Sequence, residues 1–342
     1  MPTSISDLWV PPVWVKGLAE QVRVLPGIMN SGIAVRNTEF DGFASGGGTV
    51  ITLPYFRDIT DQADAIQVEN TAPTKQVIGS GKQYATILNR ETANNANALA
   101  AAVSGENPVD EILAQLATRR LKQRQTTLLN IMRGLFANAS APNAASGALQ
   151  ANRSDYFLEA GASPAAGQLI DSTKVITSLA KLGDLRDTVQ GGAILMHPNI
   201  EAALLVADAT SFKELSINPG LVLRTYKGLK VFTSQLLVRA GTTSGFVYDT
   251  YIFATGTVAW GEKPQVGDKV DSAALSFWED KDLNVSNIYD RTRFLLHVNG
   301  TKWTGTPAGQ SATNAELATF GNWGLDYATA DRVGIIAIRS NG

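Results

Sequence analysis

Apolar residues recur most regularly along Asn107–Ala137. Val109, Ile112, Leu113 and Leu116 fall at the i, i+3, i+4, i+7 spacing of one helix face. Leu128, Leu129, Met132, Leu135 and Phe136 resume that stripe after a basic middle containing Arg119, Arg120, Lys122 and Arg124. The pattern predicts a single helix over 107–137. Asn107 is placed to cap it, Pro108 to open it, and Asp110 and Glu111 to complement its positive end. At 1.5 Å per residue such a helix is roughly 45 Å long. Gly134 weakens its last turn, and Asn138 with the Ala/Ser/Pro stretch behind it ends it. A helix of that length with one apolar face needs a sheet or another long element alongside.

Period-two patterns frame it. Thr49–Tyr55 alternates Val50, Leu53 and Tyr55 with polar residues. A polar stretch from Arg57 to Lys75 follows, then a second extended piece, Gln76–Leu88. Together they predict a long hairpin projecting from the body, hinged at Gly46, Gly47 and Gly48. Two strands with so little to bury are marginal in water, so another surface should cover them. Residues 92–103, rich in Ala and Asn, read as helix. Ahead of the hairpin, residues 1–45 are apolar pieces broken by Pro and Gly. Trp9, Val10, Val13, Trp14 and Val15 make them an arm that must lie on this chain's body or on a neighbour.

After the long helix, residues 138–167 form a compositional break, with Tyr156, Phe157 and Leu158 as its apolar knot. Beyond it the pattern predicts a helix over 169–182, a buried strand at 192–196, and a helix opened by His197-Pro198. Strands follow at 229–233, 245–254 and 256–260, then a polar extended segment over 262–288 that contains Phe277 and Trp278. Asn299-Gly300 predicts a tight hairpin joining 293–298 to 301–303. Thr313 and Glu316 form a capping box for a short helix through Phe320, and a last strand covers 333–338. The class is α+β.

Composition narrows the chemistry. The 342 residues are enough for a sizeable core and two subdomains. A net charge of −2 gives no global basic field of the kind a dedicated nucleic-acid binder carries. With no cysteine there are no disulfides, thiolate zinc sites or cysteine nucleophiles. The N-terminal residues lack a basic n-region and are read as no signal peptide, and no apolar run approaches a membrane span. A soluble intracellular product is expected.

No catalytic constellation assembles. Gly79–Lys82 (GSGK) resembles the end of a phosphate loop, but Gln76 and Gln83 stand where that loop needs Gly and Ser or Thr. His197 reads as a helix cap and His297 as a strand residue, and no G-x-S-x-G elbow is present. Asp58, Asp61 and Asp64 lack calcium-loop spacing. Arg119, Arg120, Lys122 and Arg124 read as a solvated face or as partners of a neighbouring acidic surface. No catalytic residue, cofactor or metal site is expected.

The order of these parts resembles the major capsid (coat) protein of tailed bacteriophages, the HK-ninety-seven-type fold. The phrases that carry the resemblance are Gly48-Thr49-Val50-Ile51-Thr52-Leu53-Pro54, Asn107-Pro108, Met196-His197-Pro198, and Ser311–Leu317 with Asn322-Trp323. The resemblance covers essentially the whole chain. It implies an N-terminal arm (1–45), an extended loop (46–88), a peripheral domain (89–164 and 261–309) with spine helix 107–137, and an axial domain (165–260 and 310–342). It implies contacts between subunits through Trp9, Trp14, Val50, Leu53, Tyr55, Arg57 and Lys75. The expected partners are copies of the chain in hexamers and pentamers, a separate scaffolding protein, a portal, and packaged double-stranded DNA bound non-specifically, with no membrane. The expected location is the virion capsid, assembled in the host bacterial cytoplasm. An encapsulin-like shell around a protein cargo is the alternative on the same fold. Lys75 and Lys82 lie in the extended loop, but no partner Asn or Glu can be matched for a lysine cross-link.

Overall fold

The computed structural model describes residues 33–59, 66–69, 72, 75, 77–97, 108–137, 147–161, 163–218, 221–241, 244–267 and 271–342. In chain order come β1 (Ala34–Arg36), α1 (Thr38–Ser45), β2 (Val50–Phe56), β3 (Ser80–Asn97) and the long helix α2 (Pro108–Leu135). Then follow β4 (Arg153–Asp155), β5 (Ala160–Gly161), α3 (Ser172–Leu179), β6 (Ala193–Met196) and α4 (Pro198–Ala207). Strands β7 (Phe212–Asn218), β8 (Leu221–Tyr226), β9 (Leu229–Thr233), β10 (Val238–Ala240) and β11 (Ser244–Phe253) come next. After them lie β12 (Val258–Glu262), β13 (Val266–Gly267), β14 (Ala274–Asp280), β15 (Val285–Val298) and β16 (Thr301–Trp303). The chain closes with α5 (Asn314–Ala318), β17 (Trp323–Leu325) and β18 (Ile335–Ser340).

Two sheets organise the molecule. One runs β1-β12-β15-β14-β13, with β3 on β15 and β2 on β3. The other runs β4-β18-β11-β6-β9-β8-β7, with β10 and β5 also on β11. The second half of α2 lies between them. Its Leu128, Ile131, Met132 and Leu135 share one core with Leu88, Phe294 and Leu296 of the first sheet and Leu195, Tyr251 and Ile335 of the second. A second core fills the far face of the second sheet, where Val175 of α3 and Ile200 and Leu204 of α4 meet Ile194, Ile252 and Ile336. β18 serves both: Ile335 and Ala337 face the first core, Ile336 and Ile338 the second. That two-sided burial is why its sequence is apolar without alternation.

The predicted stripe on α2 is unevenly used. Leu116 is buried, whereas Val109, Ile112 and Leu113 are only half-buried. The C-terminal half is buried nearly all round, and Gly134 is what lets it approach α5. A Cβ there would come within 2.2 Å of the Leu317 carbonyl oxygen and 2.5 Å of Trp323 Nε1.

The helix ends in a charged knot. Ala137 turns the backbone left-handed at φ 52°. Leu149 N–H donates to the Leu135 carbonyl at 2.9 Å. Arg153 Nη1 donates to the Phe136 carbonyl at 2.5 Å, and Arg339 Nη2 donates to that of Ala137. Two guanidinium groups thus meet the negative end of the helix. Each is paired, Arg153 Nε with Asp155 at 2.9 Å and Arg339 Nε with Asp249 at 3.3 Å, and all four side chains are almost wholly out of water.

Two expectations are corrected. Thr92–Asn97 is strand, not helix, because it pairs with Val285–Asp290 across the sheet, and that ladder overrides local Ala/Asn propensity. Residues 98–103 lie outside the described residues. Asn299-Gly300 does turn the chain, with Gly300 at φ 88°, but it makes no hairpin. β12 holds Phe294–Val298 on one edge and β3 runs along the other as far as Leu295. Thr301–Trp303 therefore pairs with Trp323–Leu325 instead, stacking Trp303 edge-on against Trp323. Residues 33–45 lie on the chain's own body, one of the two surfaces expected for the arm. β1 pairs parallel with β12, and α1, capped by Asn37 accepting from Glu39 N–H at 2.9 Å, packs beside it. The remainder of the arm, Trp9 and Trp14 included, lies outside the described residues.

Candidate functional site

The hairpin of β2 and β3 forms in the predicted place. Val50 pairs with Thr86 and Phe56 with Ser80, in unbroken antiparallel register. Side chains alternate across it. Ile51 and Leu53 turn inward onto Phe40, Ala85, Ile87, Ala259 and Leu295. Tyr55 turns the same way, and its hydroxyl donates to the Asp326 carbonyl at 3.1 Å. Its ring meets Tyr327 edge-on at 5.6 Å between centroids. Burial, with Asp326 beside it, pushes the Tyr55 hydroxyl up to about 12. Gly81, across the ladder, is the seat for this ring, since a Cβ there would sit 2.4 Å from it. Arg332 Nη1 adds an ion pair to Asp58 at 3.2 Å. Between hairpin and body lies a cleft of about 840 Å³, walled by Tyr55, Arg57, Leu185, Tyr327 and Arg332.

The base is also held. Arg293 Nε donates to the Ala44 carbonyl at 2.7 Å, and its Nη2 donates to those of Gly46 at 2.7 Å and Gly48 at 3.0 Å. The glycine run read as a free hinge is therefore pinned by a guanidinium from β15. Sequence gave no signal for it, because Arg293 lies 245 residues from Gly48.

Of the seven residues expected at subunit contacts, Trp9 and Trp14 lie outside the described residues. Val50, Arg57 and Lys75 are exposed, while Leu53 and Tyr55 turn onto the chain's own body. Further apolar residues of the hairpin point outward beyond them. Phe56 is 81% exposed, Ile66 90% and Val77 85%. Leu53 followed by Tyr55 shows the alternation that would have flagged Phe56 as outward.

The other candidates resolve into structure. Arg120 pairs with Asp290 at 2.8 Å and Arg124 with Glu262, so part of the basic middle of α2 is neutralised by the chain's own strands. The Arg124 guanidinium also lies over Trp260 at 5.4 Å, with Arg36 on that ring at 5.3 Å. Arg119 is exposed. His197 caps α4, its Nδ1 accepting from Asn199 N–H at 3.1 Å. His297 is buried, with Nε2 2.8 Å from Gln83 Oε1, which also accepts from Gly300 N–H. Burial pulls its imidazole down to about 4. Gly79–Lys82 lies at the start of β3 and just before it, not between strand and helix. Among the described residues no group of three acidic or histidine side chains converges as a metal site, and no helix is long and apolar enough to cross a membrane.

No protein-family model matches the chain. It is 26% identical over 331 residues to the major capsid protein of Bacillus phage SPP1, covering 95% of this chain and 94% of that one. By fold it resembles the capsid of Ralstonia phage GP4, with a TM-score of 0.60 at 11% identity over 100% of this chain and 98% of the other. It also resembles the holo-SrpI encapsulin complex from Synechococcus elongatus PCC 7942, with a TM-score of 0.51 at 11% identity over 86% and 82%. A relative matched almost end to end and a phage capsid subunit matched throughout agree with the order of parts in the sequence, and the fold is that of tailed-phage capsid subunits.

Proposed function

We propose that this chain self-assembles, as hexamers and pentamers, into the icosahedral shell that encloses the genome of a tailed double-stranded DNA phage. The observation that carries the reading beyond fold is the hairpin. It projects large apolar side chains, Phe56, Ile66 and Val77 among them, that its own subunit leaves in water. Such a patch calls for burial against other copies, and many weak contacts summed around a closed shell suffice to hold it. In this reading residues 46–88 overlap a neighbour, α2 is the spine of a peripheral domain, and the second sheet belongs to an axial domain at the capsomer centre. Val50, Arg57 and Lys75 face the neighbour, and Trp9 and Trp14 bind it through the arm. A separate scaffolding protein and a portal take part, assembly occurs in the host bacterial cytoplasm, and DNA is contacted without sequence preference. The chain performs no catalysis.

Electron microscopy of the purified protein tests the reading. Closed shells are expected, and a monodisperse monomer at every concentration would overturn it. A protein-cargo shell is the second reading, favoured by the encapsulin-like fold match. Nucleic acid inside particles from infected cells supports the first reading, and packaged protein the second.

A further inference from the structure

Among the described residues, nothing pairs with the outer edge of the hairpin. Arg57 N–H donates to the Gly79 carbonyl and Ile87 N–H to that of Thr49, each at 2.8 Å. Both lie in the register of β2 on β3. Antiparallel pairs alternate between bonded and unbonded positions. Ile51, Leu53 and Tyr55 therefore spend their N–H and C=O groups on β3. Val50, Thr52, Pro54 and Phe56 aim theirs the other way, and no described strand pairs there.

An exposed edge beside apolar side chains is a template for another strand. At the centre of this one stands Pro54, which has no N–H to offer, at a position where the ladder with β3 does not need it. The inner face holds the strand in place through Tyr55 and Leu53, so the open edge is presented rather than folded away. Val50 and Phe56 bracket Pro54 with exposed apolar side chains. They would favour strand addition if the backbone allowed it.

We propose that Pro54 is an edge block, closing the projecting hairpin to strand addition by a second copy so that copies meet it through side chains. The second copy is taken from the shell reading above; the block itself follows from the ladder alone. Pro54→Thr restores the missing donor in a β-favouring residue. It should keep the subunit's circular dichroism but give several-fold more pelletable aggregate with the infrared signature of intermolecular strands. Aggregate at the wild-type level would overturn the proposal. Thr52→Pro removes a second outward donor without touching the ladder to β3, and should assemble at wild-type yield. A folded Thr52→Pro subunit that no longer assembles would mean a partner uses this edge, and would overturn the proposal as well. Should the wild type form no particles, the shell reading falls while the Pro54→Thr comparison still decides the edge.

Discussion

Tyr55 and Asp326, 271 residues apart, are joined by a 3.1 Å bond from the tyrosine hydroxyl to the aspartate carbonyl, and the hairpin of β2 and β3 is clasped to the body there. The inner face of β2 is thereby settled within the subunit, and only its outer face and tip are left for others. Tyr55→Phe removes the hydroxyl bond and should cost about 1 kcal/mol. Tyr55→Ala also loses the Tyr327 contact and leaves Gly81 facing a void, and should cost about 2–3 kcal/mol, less than for a fully buried ring. Urea unfolding of dissociated subunits checks both. Equal stability of the two variants would show that the ring contact contributes nothing.

The buried pair Arg339–Asp249 predicts a larger loss. Arg339→Met strands Asp249 out of water without its cation and removes the donor to the Ala137 carbonyl. Breaking one side of a buried pair costs about 3–5 kcal/mol, enough to bring down much of a typical domain's stability. The variant should accumulate as insoluble protein. A double change, Arg339→Met with Asp249→Leu, should recover part of the loss, and soluble yield measures it.

Acid should weaken the fold through His297. Its imidazole titrates near 6.5 when unfolded but is pulled down to about 4 in the fold by burial, against a smaller opposing pull from Asp326. The unfolded chain thus binds the proton first. Stability from this group is intact above about pH 6.5 and falls as pH drops towards about 4. The total is about 3 kcal/mol, with no further change below that. His297→Gln should flatten that part of the stability–pH curve. An unchanged slope would show that His297 is reached by solvent before unfolding.

What the sequence disclosed is what local chemistry decides. The Thr313–Glu316 capping box, the His197-Pro198 helix start and the long helix appear as read, because their signals lie within a few residues of each other. What it hid depends on distant partners. Thr92–Asn97 takes its conformation from β15, nearly two hundred residues away. The glycine base takes its rigidity from Arg293, and the end of α2 its caps from Arg153 and Arg339. A charged residue inside a core gives no periodic signal, so Arg339 looked like any polar residue near the end of a strand. The open edge at Pro54 could be derived only once the register of β2 on β3 was known.

Trypsin should report whether the base of the hairpin is fixed. Arg57, Lys75 and Lys82 are all exposed, but Lys82 is held in β3, opposite Pro54. Cutting dissociated subunits should therefore favour Arg57 and Lys75 and spare Lys82, and assembled particles should resist at all three. Arg293→Ala releases the carbonyls of Ala44, Gly46 and Gly48 together, freeing a glycine run with maximal backbone entropy. It should speed cleavage of the free subunit at Lys82 several-fold, with Arg57 little changed. Equal rates at Lys82 in variant and wild type would mean the clasp at Tyr55 alone holds the hairpin.

The long helix offers the last test, because its two halves are buried so differently. Leu128 is fully enclosed between the sheets, whereas Ile112 is only half-covered. Leu128→Ala opens a cavity in the shared core and should cost about 2–5 kcal/mol. Ile112→Ala gives up partial burial at a site water can reach, and should cost about 1 kcal/mol in the isolated subunit. If a neighbour covers the N-terminal half in the shell, Ile112→Ala will weaken particles more than subunits, while Leu128→Ala weakens both alike. Chemical unfolding of subunits, set beside urea dissociation of particles, separates the two. Identical effects of Ile112→Ala on both would place that half of the helix on an outer, uncontacted surface.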